Sequence, residues 1–341
     1  MSRRLLGFIL VLFVVSLTVV LASGCLRRAA QPSGPAVTGQ QGTAPQTDGI
    51  RLATFNAEFL FDGLEGEGQA SFAWKDDPVL ARAHRDSVAR VVRAINADVV
   101  MFQEVENLGT LEMLATETLA DMGYTAYLVD GRDSFTGQDV GLLSRIPVDE
   151  VGRTNERAPV GTTRQDYGVS KNMWARLDLG GIPTTLIGVH FLSRPDDIER
   201  KPRREAQAEV IRRLAEQEVA AGRAVVVLGD FNDFDAGVPD RAGSVPITDV
   251  LATVQRAGPG PEDDLRNVAA DVPQAERYTA YYDRNRNEEI DAGELSSLDH
   301  LLLSPQLYRT LRAVDFVHLH DPRTVSDHFP VVATLGVPGG R

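Results

Sequence analysis

Six places along this chain set carboxylate, amide or imidazole groups at the end of an apolar run: Asn56 with Glu58, Glu104, His190, Asp230 with Asn232, Asp299, and Asp327 with His328. Carboxylate and amide oxygens are hard donors, suited to holding Mg²⁺ and to orienting water. Imidazole beside a carboxylate stays protonated and donates hydrogen bonds. The sharpest case is Leu228-Gly-Asp230-Phe-Asn232-Asp233, which follows the apolar, β-branched run from Ala224 to Leu228. Taken singly, each cluster also fits a plain structural role, such as an Asx turn closing a strand or a histidine satisfied in the core. Six together point to one site assembled at strand ends.

The elements that must position these groups can be read from periodicity. Apolar runs over 50–55, 98–103, 140–144, 173–179, 184–190, 223–228, 277–282, 297–304 and 331–335 predict strands. Apolar residues at helical spacing predict helices over 82–96, 108–122 and 203–221, the last two stopped by Gly123 and Gly222. The segment between residues 144 and 173 carries no assignable pattern, and 265–274 reads as loop. Helices are interspersed with consecutive strands, which suits an α/β two-sheet sandwich with outer helices. Composition does not break after residue 50, so residues 50–337 read as one domain.

The N-terminus reads as an address. Arg3-Arg4 precedes an almost wholly apolar run from Leu5 to Ala22, and Leu21-Ala-Ser-Gly-Cys25 leads to the only cysteine. This resembles a bacterial lipoprotein signal over 1–24, with lipidation of Cys25; an uncleaved single anchor is the other reading. Residues 25–49 are rich in Pro, Gly, Ser, Thr and Gln and predict a disordered tether. Either reading places the domain outside the cytoplasm, held to a membrane, with no cysteine left for disulfides. The chain carries a net charge of −13. Its first 49 residues hold four arginines and one acid, Asp48, which leaves 31 basic against 47 acidic residues, a net −16, for the rest. That balance argues against tight electrostatic gripping of duplex DNA.

Phe55-Asn-Ala-Glu58, Gln103-Glu104-Val, Leu143-Ser-Arg-Ile-Pro147, Val189-His-Phe-Leu-Ser193, Gly229-Asp-Phe-Asn232, Leu298-Asp-His-Leu-Leu302 and Ser326-Asp-His-Phe-Pro330 follow one another in this order. Together they resemble the motifs of the endonuclease/exonuclease/phosphatase family, and the opening Asn56 to Asp62 is similar to its secreted bacterial branch. The resemblance implies a two-sheet sandwich that hydrolyses phosphate esters with Mg²⁺ or Mn²⁺. It assigns the metal to Glu104, with Asn56, Glu58 and Asp327 nearby. It makes Asp230 the base for the attacking water, with Asn232 fixing the phosphate. His190 and His328 become donors to the phosphoryl oxygens, with Asp299 pairing His328. The acid partner of His190 is not identifiable, and Arg203-Arg204 fits either a phosphate contact or a solvated helix start.

A phosphodiesterase acting on nucleic acid is the leading expectation, with no protein partner and a monomeric state. A sugar, inositol or lipid phosphoesterase, of the sphingomyelinase kind, is the enzymatic alternative. A non-catalytic calcium-binding surface module is the third. Calcium enters through Asp283-Arg-Asn285-Arg-Asn287-Glu-Glu289-Ile-Asp291-Ala-Gly-Glu294. This segment matches most of the twelve-residue EF-hand loop, with oxygens at positions one, three, five, nine and twelve. Glu288 stands where that loop uses glycine, and the flanks read as strands rather than helices.

Overall fold

A computed structural model describes residues 49–64, 68–69 and 71–336. The expected signal segment, Cys25 and the tether up to residue 48 lie outside the described residues. In chain order the strands and helices begin with β1 (Ile50–Leu60), α1 (Pro78–Ile95), β2 (Val99–Val105), α2 (Leu108–Met113), β3 (Thr125–Leu128) and β4 (Asp139–Ser144). Next come β5 (Val148–Gly152), β6 (Arg157–Pro159), β7 (Asp166–Gly168), β8 (Lys171–Asp178), β9 (Pro183–His190), α3 (Lys201–Ala220) and β10 (Ala224–Asp230). The remainder comprises α4 (Val250–Gln255), β11 (Arg266–Asn267), β12 (Ala280–Tyr281), β13 (Leu295–Ser296), β14 (Asp299–Leu303), α5 (Pro305–Tyr308), β15 (Leu311–Phe316) and β16 (Val331–Leu335).

Two six-stranded sheets result. One runs β15-β16-β1-β2-β4-β3 and the other β11-β14-β10-β9-β8-β5. Alternation along the strands explains why they stack. Leu52, Met101, Leu142, Leu186, Val226 and Leu301 point into the layer between the sheets. Their neighbours Ala53, Val100 and Phe102 face outward under α1 and α2, and Ile187, Val225 and Val227 face outward under α3 and α4. Strands buried on both faces carry near-continuous apolar runs, as in Ala224–Leu228 of β10. The sheets approach closely at Gly188, where a Cβ would fall 2.5 Å from the Met101 sulfur.

The expected two-sheet sandwich with outer helices is therefore the fold, with boundaries shifted where capping decides them. Helix α1 starts at Pro78 rather than residue 82, because the Asp77 side chain accepts the N–H groups of Val79 and Leu80 and Pro78 supplies a preset first turn. The single helix expected over 108–122 is broken. It is α-helical to Met113, widens over Leu114–Thr118 and tightens over Ala120–Met122. Thr116 bonds back to the Glu112 carbonyl at 2.7 Å within the widened turn. Of the strand expected over 277–282, only Ala280–Tyr281 pairs, with β13.

β1 and β2 are parallel, joined through α1, and β9 and β10 are parallel, joined through α3. Crossovers of this kind bring the carboxyl ends of paired strands to the same rim. β14 runs antiparallel to β10 with Asp299 opposite Asp230, and Asp230 also lies opposite His190. Residues far apart in sequence thus arrive together because strand register puts them there.

Candidate active site

At that rim Asp230 is the most heavily tethered group. It accepts the Asn232 backbone N–H at 2.8 Å, the Asn232 amide at 3.0 Å and the Asn56 amide at 3.3 Å. Asn56 also reaches Glu104 at 3.2 Å, so its amide bridges the two carboxylates while its oxygen accepts the Glu58 N–H. Asp299 meets His328 Nδ1 at 2.7 Å, the pair expected from the motifs, and His328 Nε2 stands 4.0 Å from Asp230. His190 Nε2 lies 3.5 Å from Asp230 and 3.8 Å from Glu104.

These positions depend on backbone few residues adopt. Glu58, Phe59, Glu104 and Asn232 have φ of 48°, 54°, 62° and 47°. Each costs on the order of 1 kcal/mol and persists only where surroundings over-determine it. Here the Phe59 N–H bonds the Glu104 carboxylate at 3.0 Å, Trp74 donates to the Phe59 carbonyl at 2.8 Å, and Phe72 stacks on the Phe59 ring at 4.1 Å. The β1–β2 register shifts between Asn56 and Leu60, the mark of a bulge that turns the acids into the site. Gly229, with φ 140°, admits no side chain: a Cβ would lie 2.0 Å from the Val189 carbonyl oxygen.

Burial and crowding set the charges. Burial, Asp327 and Glu104 push the Glu58 carboxyl up to about 8. Burial also raises Glu104 and Asp327, and each of them feels further acids. Burial raises Asp230 to about 7, with Asp299 and Glu104 adding to it and His328 opposing it. For His328 burial acts downward, but the carboxylates of Asp299, Asp327 and Asp230 outweigh it and hold the imidazole well above its ordinary range. His190 goes the other way, held well below that range by burial, Lys171 and His328. Its contacts with Asp230 and Glu104 are therefore those of a neutral ring, not ion pairs.

Glu58, Glu104 and Asp327 thus form a like-charge group whose members destabilise one another's ionised forms. Such a group fits a hard divalent cation, which relieves the repulsion and takes oxygen ligands. Among the described residues no three acidic, thiol or imidazole groups are placed to hold a metal ion by themselves. The donor set is a partial one, of the kind Mg²⁺ completes with water and substrate phosphate. Among the described residues a buried Asp299 oxygen and the His190 Nδ1 have no hydrogen-bond partner, and no acid orients His190.

The sequence model of the endonuclease/exonuclease/phosphatase family matches residues 53–328. The chain belongs to that family. No curated protein matches it. Among solved structures it is similar to the 3′ phosphatase NExo from Neisseria bound to product DNA hairpin, at 17% identity over 84% of this chain and 99% of that one, TM-score 0.56. An AP endonuclease from Archaeoglobus fulgidus follows at 16% identity, 84% and 100% coverage and TM-score 0.55. The human Nocturnin catalytic domain with bound sulfate aligns at 17% identity, 84% and 94% coverage and TM-score 0.52. At these identities the likeness establishes the shared fold.

Within this endonuclease/exonuclease/phosphatase domain, all nine residues expected to serve catalysis or Mg²⁺ stand at the one rim. Of the arginines left open, Arg204 is no phosphate contact. It is fully buried, ion-paired with Asp233 at 3.0 Å, and donates to the carbonyls of Arg194 and Pro195. Lys171 escaped the sequence reading. It opens β8 opposite His190, and its charge acts on both Glu104 and His190. It lies just before the apolar run that begins at residue 173, in the segment that carried no assignable pattern, so nothing marked it. Thr279 was missed too; its hydroxyl accepts the N–H groups of Leu298 and Asp299 and so fixes the latter.

The Asp283–Glu294 loop sits between β12 and β13, on strands rather than helices. Asp283 accepts the N–H groups of Asn287 and Glu288, and Glu294 those of Arg284, Asn285 and Asp291. The amides of Asn285 and Asn287 both reach Asp291, and Glu289 offers its carbonyl to the Tyr281 hydroxyl. Glu288 takes φ 61°, so it adopts the left-handed turn that glycine supplies in the EF-hand loop.

Proposed function

We propose that this protein is an extracytoplasmic, Mg²⁺-dependent phosphodiesterase whose substrate is nucleic acid. The observation that carries the reading is Asp230, fixed by two asparagines between a neutral His190 and a protonated His328, beside the acidic group of Glu58, Glu104 and Asp327. The divalent ion would neutralise charge on the phosphoryl and leaving oxygens. Glu104, Glu58 and Asp327 would hold it, and Asn56 bridges Glu104 and Asp230. Asp230, raised toward neutrality, accepts a proton from the attacking water at neutral pH. His328 donates to a non-bridging oxygen, its charge maintained by Asp299; His190 presents Nε2 to the same space, and Asn232 orients the phosphate. Positioning and fixed charge supply most of the acceleration in such chemistry.

Plasmid, RNA, sphingomyelin and inositol phosphates, each offered to the purified protein with Mg²⁺, test the reading. Nucleic acid is the substrate expected to disappear. EDTA abolishes the activity and Mg²⁺ or Mn²⁺ restores it, and Asp230→Asn lowers turnover about 10²- to 10⁴-fold. Full activity in EDTA rules the mechanism out.

We also propose a structural Ca²⁺ in the loop from Asp283 to Glu294, supported by its inward oxygens and the left-handed Glu288. Millimolar Ca²⁺ should raise the melting temperature of the wild type. The Asp283→Ala/Glu294→Ala variant should melt the same with and without it.

A further inference from the structure

The catalytic rim opens into a cavity of about 690 Å³ whose other walls come from two segments the chemistry does not use. One is the turn from Ser193 to Asp196, after β9. The other is the β12–β13 hairpin, which contributes Tyr282 and Arg284. Resting on the phosphodiesterase reading above, we infer that Arg194, Arg284 and Tyr282 form a subsite for the phosphate and base adjoining the scissile bond, which makes single-stranded nucleic acid the substrate.

Arg194 and Arg284 are both exposed and both line this otherwise acidic cavity. Among the described residues neither guanidinium has a hydrogen-bond or ion-pair partner. Most arginines elsewhere in the domain are spent on carbonyls or acids, as Arg176, Arg212 and Arg223 are. Arg194 is held in place with some force. Its φ is 69°, strained for a side-chain-bearing residue. Its carbonyl and that of Pro195 accept from Arg204 at 2.7 and 2.6 Å. Arg204 is itself anchored on Asp233, one residue past Asn232. A buried ion pair therefore links the catalytic strand end to an exposed arginine at the mouth.

Arg284 is fixed through its backbone N–H, which donates to Glu294 at 2.9 Å. Beside it Tyr282 leaves 71% of its surface in solvent while lining the cavity, and its N–H is held by the Glu294 carbonyl at 3.0 Å. Guanidinium groups match phosphate oxygens in geometry and charge. An exposed aromatic face next to them suits an unpaired base, each such stack being worth about 1–3 kcal/mol. A paired base offers no free face, and the acidic balance of the domain disfavours a duplex. A lipid headgroup phosphodiester brings neither a second phosphate nor a base, and an inositol bisphosphate lacks the base.

The test compares a short single-stranded oligonucleotide with bis(4-nitrophenyl) phosphate, a diester with no second phosphate. Arg194→Gln and Arg284→Gln should each raise KM for the oligonucleotide about tenfold, and the double variant about a hundredfold. Both should leave kcat, and the rate on the small ester, within about twofold. The logarithmic salt dependence of oligonucleotide binding should fall by about 0.7 in the double variant, the value for one phosphate contact on a single strand. Tyr282→Ala should raise KM about tenfold and Tyr282→Phe should not. Equal losses on both substrates, or an unchanged KM for the oligonucleotide, overturn the subsite. Anisotropy of a labelled strand in the Asp230→Asn background reads binding apart from turnover. If no diester is cleaved, the hydrolase reading falls, and the arginine effect on binding still decides the subsite. Competition by inositol bisphosphate or phosphatidylcholine vesicles equal to that of the single strand overturns the nucleic-acid assignment.

Discussion

Asp299 stands one hydrogen bond from His328, the proposed phosphate donor, and its negative charge helps hold that ring protonated against burial. Asp299→Asn preserves shape and removes the charge. Steady-state assays should show kcat on the order of a hundredfold lower, with little change in melting temperature. His84 tests the opposite regime. It packs on Trp74 with ring centroids 4.6 Å apart, and Nε2 meets the Val325 carbonyl at 2.8 Å. Burial pushes its pKa down from 6.5 to about 4, the carbonyl opposes the shift and Arg85 adds to it. The unfolded chain thus takes up the proton first. Neutral His84 contributes stability in full above pH 6.5, and that contribution is lost as pH falls toward 4. It amounts at most to something on the order of 3 kcal/mol. Melting curves across this window should fall more steeply for the wild type than for His84→Gln.

At the scale of elements, strand register carries the site, so changes that disturb register should act on everything at once. Gly229→Ala forces a Cβ against the Val189 carbonyl at φ 140° and should cost about 3 kcal/mol or more, read as a lower denaturation midpoint. Most of this architecture was legible beforehand. Strands such as Ala224–Asp230 are buried on both faces and read as apolar runs, and the acids and histidines that end them stood out against that background. What escaped had no such contrast. β15 is an edge strand with exposed Arg312 and Asp315, so burial imposes no pattern on it. β6 and β7 are three-residue pieces of a hairpin. Lys171, Thr279 and Arg204 act through partners distant in sequence, and no local spacing announces them. The pairing of Arg204 with Asp233 exists only once α3 lies on the second sheet.

For the molecule as a whole, the proposed extracytoplasmic role depends on the N-terminal address. Cys25→Ser should abolish incorporation of labelled fatty acid and release the protein from the membrane fraction; an unlabelled wild type would leave the plain anchor as the remaining reading. The acidic balance of the domain bears on how it meets a polyanion. A protein with a net −16 beyond its first 49 residues gains little from long-range attraction. On the proposed reading, contact with nucleic acid would depend on metal and on a few placed arginines, and raising salt should slow cleavage only modestly compared with a basic nuclease.

The left-handed residues at the rim have a cost that selection must keep refusing to remove. Glu58 and Glu104 combine unfavourable backbone with half-buried carboxylates whose pKa is raised by burial and by neighbouring acids. Glycine would relax both strains at once. Glu58→Gly should melt above the wild type in EDTA and lose activity in Mg²⁺. A laboratory search that rewarded heat resistance alone, in chelator, would therefore drift toward sturdier and inert proteins. With Mg²⁺ present the ranking should narrow or invert, because the ion stabilises only the chain that can still bind it.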